Sequence, residues 1–418
     1  MAAEDRLDSP ARRAIEGWAQ VVVVGGGPAG AIVATLLARA SVRVALRWKR
    51  SGQSPAIGEV LPPAARPTLV RLGLGGVLED RAHLRCPGTV SAWGSATAQS
   101  IDSLFSPYGD GLHLDRARFD AQLLASAEAA GARVIEATWD ARDERWDGTG
   151  AGGAILPVMV DCTGRAAAVA RAAGAVVERL DALVAVAGVL SPRSPFADTD
   201  ARTYLESVGD GWWYSALLPD GRRMAAFHTD ADLLSPDVRL DPAVWQANLF
   251  RTNLIGPLVR DAGAAAPDSL RLLAADSRRL GWPPKHDLSG SVARSSVRGP
   301  ALLAVGDSAM AFDPLSSQGI LSAIQSAEEA VPQIQALVSG DVSAAASRSA
   351  GRTEAARERW SRYVKRLAEA YADERRWPDA PFWERRHGQQ PQVQGAARWL
   401  SVETVPFGPV DSVAPSRS

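Results

Sequence analysis

The segment Val21-Val22-Val23-Val24-Gly25-Gly26-Gly27-Pro28-Ala29-Gly30 leaves the chain few folds to choose from. Four β-branched residues in a row read as a buried strand, and the alanine- and leucine-rich stretch Ala31 to Ala40 reads as the helix that follows. Gly25, Gly27 and Gly30, with Pro28 and Ala29, form the tight turn between them. Such a turn lets backbone N–H groups approach a pyrophosphate at the positive end of the helix. This is the opening unit of a doubly wound α/β sheet that binds a dinucleotide.

An acidic residue is expected at the end of the second strand, where ribose hydroxyls need an acceptor. Here Ser41 to Leu46 is followed by Arg47, Trp48, Lys49 and Arg50, with no carboxylate; Trp48 can stack on adenine in its place. A second nucleotide-site segment lies far downstream. Ala301 to Val305 reads as a strand that delivers Gly306-Asp307-Ser308-Ala309-Met310-Ala311-Phe312-Asp313-Pro314. Between the two, Leu156 to Arg165 reads as a parallel strand whose polar end carries Asp161 and Gly164, at the sheet edge where ligands collect. A long cofactor held at both ends of the chain would be FAD.

With 418 residues and 46% apolar content, the chain can bury a large core. A formal net charge of −1 favours neither nucleic acid nor an anionic membrane as a partner. Cys86 and Cys162 form no disulfide framework and no metal-ligand spacing. The charged first twenty residues lack the apolar core of a secretory signal. A cytoplasmic location without a membrane segment is expected.

The pattern divides the chain into interleaved parts. Residues 1–20 are an N-terminal extension. Residues 21–85, 102–182 and 290–340 form a Rossmann-like FAD-binding domain. Residues 86–101 and 183–289, read as strands and turns, form an antiparallel-sheet substrate domain. Residues 341–418 form a C-terminal helical segment to about Arg376, then a proline-rich tail expected to pack irregularly and to fray beyond Pro409.

The ordered motifs GGGPAG, IGEVLPP, HLDRARFD, VDCTGR and GDSAMAFDPLSSQGI resemble the flavoprotein class containing p-hydroxybenzoate hydroxylase, geranylgeranyl reductases and tryptophan halogenases. The finer resemblance is to halogenase-like flavoproteins of tryptophylquinone cofactor maturation. It implies that Asp307 accepts hydrogen bonds from the ribityl chain. It places Pro314, Gln318, Gly319 and Ile320 beside the isoalloxazine, with Glu59 and Arg116 bordering the flavin and its phosphates. Arg116 can instead pair with Asp115 or Asp120 at its helix start.

Halogenases of this class use a lysine facing the substrate and a GWxWxIP spacer. The segment Cys86 to Gly94 has no lysine, and Gly211 to Pro219 has a displaced second tryptophan and a late proline. The resemblance therefore implies an FAD-dependent monooxygenase that hydroxylates an aromatic ring, with indole or a tryptophan side chain preferred. That ring belongs either to a small molecule or to a partner polypeptide. Molecular oxygen is the co-substrate, and NAD(P)H the reductant, used directly or through a flavin reductase. An FAD-dependent reductase or dehydrogenase, a halogenase, and a non-catalytic flavin-binding maturation partner are the alternatives. Trp212 and Tyr214 share one strand face and can stack an aromatic substrate or pack as core, while His113 and His228 are candidate general bases or structural histidines.

Overall fold

The computed structural model describes residues 18–49, 60–139, 158–194, 196–281, 301–388 and 403–404. At its centre the strands Ala301–Ala304, Val158–Asp161, Val21–Val24, Val44–Trp48 and Arg133–Glu136 lie side by side in parallel. The short strand Glu403–Thr404 pairs antiparallel on the Ala301–Ala304 edge, which ties the tail back into this sheet. All four residues of Val21–Val24 are buried, because both sheet faces are covered; this is why the strand is continuously apolar rather than alternating.

Helix Pro28–Arg39 covers one face, flanked by helices Arg116–Ala129 and Gly319–Ser339. Ile32, Leu37, Phe119, Leu123, Ile324 and Ile334 share the core between them. Over the other face lies a three-stranded antiparallel sheet of Val176–Arg179, Arg278–Gly281 and Met310–Ala311, whose Leu280 shares a core with Val22, Ala45 and Met159.

The second large sheet has seven strands, in the order Leu270–Ala274, Leu183–Leu190, Arg223–Asp230, Gly211–Leu217, Thr203–Val208, Gly88–Ala92 and Gln99–Asp102. It is antiparallel except where Gly88–Ala92 meets Thr203–Val208. The reading of residues 183–289 as strands and turns needs correction. Three short helices, Pro236–Leu240, Pro242–Phe250 and Ile255–Asp261, close one face of this sheet. Trp245, Leu249, Ile255 and Val259 form a core there with Trp213 and Phe227. Prolines open the first two helices, and Asp241 caps the second by accepting from the N–H groups of Ala243 and Val244. Glu206, buried in the sheet, caps the third by accepting from the N–H groups of Asn253, Leu254 and Ile255.

The C-terminal part covers the sheet's other face. Helix Val342–Ala372 is followed by helix Pro381–Gly388, and Tyr371, Phe382 and Trp383 join Leu183, Ala185 and Trp212 in one core. The irregular tail expected after Trp377 is thus helical where it begins, because Phe382 and Trp383 are fully buried against the sheet. Its fraying beyond Pro409 lies outside the described residues. Among the described residues, no helix is long and apolar enough to cross a membrane.

Candidate active site

Parallel pairing aligns the strand ends that build the site. Val24 is level with Arg47 on one side and with Asp161 on the other, and Asp161 is level with Ala304. Gly25, Trp48, Cys162 and Val305 therefore meet at one sheet edge. The glycines of the first turn differ sharply in their surroundings. A Cβ on Gly25, whose φ is +116°, would lie 2.1 Å from the Cys162 carbonyl oxygen, and one on Gly30 would lie 1.9 Å from the Gly25 carbonyl oxygen. Those two glycines let the turn, the helix and the neighbouring strand approach closely. Gly27 is different: it is the extended N-cap of helix Pro28–Arg39, and a Cβ there would meet nothing within 4 Å among the described residues.

The two halves of the signature touch. A Cβ on Gly306, at φ +70°, would lie 2.9 Å from the Ala29 Cβ, and the Gly306 N–H donates to Ser326 Oγ at 3.0 Å. Ser308 Oγ–H donates to the Asp161 carbonyl at 2.5 Å, locking the downstream turn to the central strand. Asp307 is half-buried, with Oδ2 3.9 Å from Arg165 Nε. Arg165 also donates to the carbonyls of Asp276 and Phe312, each at 2.6 Å. This arginine ends the VDCTGR motif yet was missed as a site residue; its place in that motif was the available signal. Beyond it, Pro314 opens the turn Pro314–Ser316, Ser317 adopts a left-handed conformation, and Gln318 and Gly319 start the long helix with no side-chain cap. Gly319 is exposed with open space where a Cβ would stand, whereas Ile320 is buried in the core of the parallel-sheet domain.

Several expected site residues occupy different places. Asp161 is fully buried: Oδ1 accepts from Thr163 N–H and Oγ–H at 2.9 and 2.7 Å, and Oδ2 accepts from Ala170 N–H at 2.8 Å. Its carboxylate shapes the turn that presents Gly164 rather than facing a ligand, and burial raises its pKa despite these donors. Gly164, at φ +67°, has open space at its Cα. Arg116 pairs with Asp120 at 3.0 Å, one helical turn along, the local pairing that the sequence also allowed. Trp48 is half-buried at its strand end with its Cβ against Gly26. Glu59 lies outside the described residues.

On the seven-stranded sheet, alternation works as expected, with Trp212 and Tyr214 on one face and Trp213 in the opposite core. The substrate-stacking role expected of Trp212 is corrected, because this ring is fully buried. His228, its cross-strand partner, lies parallel to it with centroids 3.7 Å apart. Tyr214 is half-buried. Neither histidine is placed as a general base. Burial lowers His228 to about 3 and His113 to about 4, so both are neutral at physiological pH. His113 Nε2 lies 2.7 Å from the Ala201 carbonyl, beside the buried pair formed by Arg223 and Asp198 at 2.5 Å.

Comparison with known proteins places this architecture. No family model matches the chain. The sequence is 30% identical over 380 residues to the "Putative FAD-dependent oxidoreductase LodB" of Marinomonas mediterranea, an alignment spanning 88% of this chain and 96% of that protein. The chain belongs to this family of FAD-dependent oxidoreductases. A tryptophan 2-halogenase of Chondromyces crocatus is 26% identical over 347 residues, spanning 78% of this flavoprotein and 63% of the halogenase. Among solved structures, the myxobacterial chondrochloren halogenase CndH superposes with a TM-score of 0.71 at 20% identity, covering 89% of this chain and 86% of that one. The peptidyl tryptophan dihydroxylase QhpG gives 0.66 at 23%, covering 90% and 80%. The chain is thus an FAD-dependent oxidoreductase that shares its fold with the flavin-dependent halogenase and the dihydroxylase.

The residues present fit FAD at the pyrophosphate and flavin ends. Among the described residues, Gly27 and Gly164 have open space that admits a ligand against bare backbone, and the helix start at Gln318 and Gly319, which has no side-chain cap, presents N–H groups beside the turn at Pro314. At the adenosine end the strand closes on Arg47 and Trp48, so an aromatic face stands where a carboxylate is usual.

Proposed function

We propose that this flavoprotein is a monooxygenase that hydroxylates an aromatic ring, with an indole or tryptophan side chain as substrate, carried by a partner polypeptide during quinone cofactor biogenesis. One observation carries the choice of hydroxylation over halogenation. The strand Gly88–Ala92 and its flanks, where a halogenase would present its lysine, contain none. Of the chain's three lysines, Lys49 and Lys365 are exposed, and Lys285 lies outside the described residues. The polypeptide substrate follows the likeness to QhpG, a peptidyl tryptophan dihydroxylase essential for tryptophylquinone cofactor biogenesis.

In this reading Gly25, Gly27, Pro28, Ala29 and Gly30 cradle the pyrophosphate, Trp48 packs on the adenine, and Gly306 and Asp307 hold the ribityl chain. Pro314, Gln318, Gly319 and Ile320 form the border of the isoalloxazine. Bound reduced FAD would supply the electrons with which one atom of dioxygen enters the ring and the other leaves as water. The chain itself holds the cofactor, orients the ring against the seven-stranded sheet and keeps water out. Electrons come from NAD(P)H, directly or through a separate flavin reductase.

Purified protein should show a bound-flavin spectrum, and oxygen uptake with reductant should rise when a tryptophan peptide is added, with oxygen gained by the peptide. Bound flavin without oxygen uptake, or halide incorporation instead of oxygen, would sink this reading. Asp307→Ala should abolish flavin binding; full retention would refute the ribityl assignment.

A further inference from the structure

Asp313, immediately before the turn at Pro314, is 2% exposed and joins two parts of the molecule. Its Oδ1 accepts from the Leu315 N–H at 2.8 Å, capping the turn Pro314–Ser316. Its Oδ2 accepts from the Tyr371 hydroxyl at 2.7 Å, and Tyr371 Oη in turn accepts from Trp212 Nε1–H at 3.1 Å. Trp212 is stacked on His228, so the chain of contacts runs from the seven-stranded sheet through helix Val342–Ala372 to the turn. Leu315 packs into the same apolar cluster as Trp212, which adds a second contact between turn and sheet. The backbone is held as well, with Asp313 N–H donating to Tyr363 Oη at 2.8 Å and Tyr363 Oη 2.6 Å from Ser277 Oγ.

We propose that Asp313 is a positioning residue for the flavin, the carboxyl group through which the sheet facing the substrate sets the turn beside the isoalloxazine. This rests on the placement of FAD proposed above. The groups facing Asp313 come from four elements. Asp181 precedes the strand Leu183–Leu190, and its Oδ2 accepts from Ser277 N–H at 3.1 Å. Tyr363 and Tyr371 lie on helix Val342–Ala372. Arg386, on the last helix, is bound to Asp230 at 2.8 Å and lies over the Tyr371 ring at 4.9 Å. Arg165 holds the neighbouring Phe312 carbonyl. Burial, with Asp181 adding to it, pushes Asp313 up to about 7, against the donors at Leu315 and Tyr371 and the charge of Arg386. The carboxyl group is therefore neutral below that pH and ionised above it, and the bond to Tyr371 strengthens on ionisation.

The test is the visible spectrum of the flavin-loaded protein between about pH 6 and pH 8, one unit either side of the Asp313 value. The wild type should show a spectral step within this window. Asp313→Asn, locked neutral, should retain flavin and lose the step. Tyr371→Phe removes a donor that favours the carboxylate and should move the step to higher pH. A wild type without the step, or a step unchanged in both variants, overturns the proposal, even if either variant melts earlier. A wild type that binds no flavin at all instead overturns the cofactor placement itself, so the two failures are distinguishable.

Discussion

Replacing the three spaced glycines one at a time with alanine separates those that build the fold from the one that faces the ligand. At Gly25 the new methyl would sit 2.1 Å from the Cys162 carbonyl oxygen on a backbone with φ +116°. Overpacking costs ~1–3 kcal/mol and the strained backbone a similar amount, so a loss of about 4 kcal/mol is expected. At Gly30 the overlap with the Gly25 carbonyl carries the same overpacking cost, offset by about 1 kcal/mol because alanine is the better helix former. The clash is with backbone, so the upper end of that cost applies and the expected net loss is about 2 kcal/mol. At Gly27, with φ −73° and no neighbour within 4 Å among the described residues, a poorer N-cap and a stiffer unfolded chain nearly cancel. Stability should then change by less than about 1 kcal/mol. Flavin binding should instead fall at least about tenfold at Gly27, because the methyl displaces a phosphate from charge-assisted hydrogen bonds worth ~1.5–3 kcal/mol each. Urea denaturation of flavin-free protein, paired with flavin titration by fluorescence quenching, reads both quantities. A Gly27→Ala protein that binds flavin like the wild type refutes the pyrophosphate position, and a Gly25→Ala protein of unchanged stability refutes the packing argument.

Three further substitutions probe the surroundings. Asp198→Ala strands the 2%-exposed Arg223 guanidinium in the sheet and should cost ~3–5 kcal/mol in urea denaturation; a loss below about 1 kcal/mol would contradict the buried pairing. His228 takes up a proton in the unfolded chain below pH 6.5 but in the folded chain only near pH 3, so its contribution to stability is complete above pH 6.5 and lost on acidification. Between pH 7 and pH 5 the wild type should therefore lose about 2 kcal/mol more than His228→Gln, and equal losses would show that this histidine is not buried neutral. Arg165→Ala releases the carbonyls of Asp276 and Phe312 together with Asp307. It should weaken flavin binding about tenfold, as expected for one lost hydrogen bond to a charged group; unchanged affinity would remove Arg165 from the site.

Local pattern made much of this architecture legible. The apolar run Leu183–Leu190 is a strand over those same residues, and the parity of Trp212, Trp213 and Tyr214 correctly separates the two faces of theirs. Parity cannot reveal which face stays open, however. Trp212 and His228 are sealed by Tyr371, Phe382 and Trp383, which arrive from more than a hundred positions downstream. The histidines suggested a base by residue type, while their basicity is set by burial that only the assembled fold creates. Arg116 and Asp120 were readable from their spacing of four. Asp313 stood inside a recognised motif, but its partner Tyr371 carries no signal of its own. The Gly25, Gly27 and Gly30 spacing pointed to the turn without distinguishing packing glycines from the open one.

The contact of Gly306 with Ala29 has a consequence for biosynthesis. A ribosome releases the upstream turn long before the surface that closes over it, and the strand Ala301–Ala304 of that surface is edged by Glu403–Thr404, which emerges later still. Closing so long a loop is slow and entropically unfavourable before the contacts form. A nascent chain therefore has half a cradle until that strand and turn have emerged. Flavin loading should follow the emergence of the downstream turn, and chains truncated before residue 301 should accumulate without the yellow colour of the cofactor.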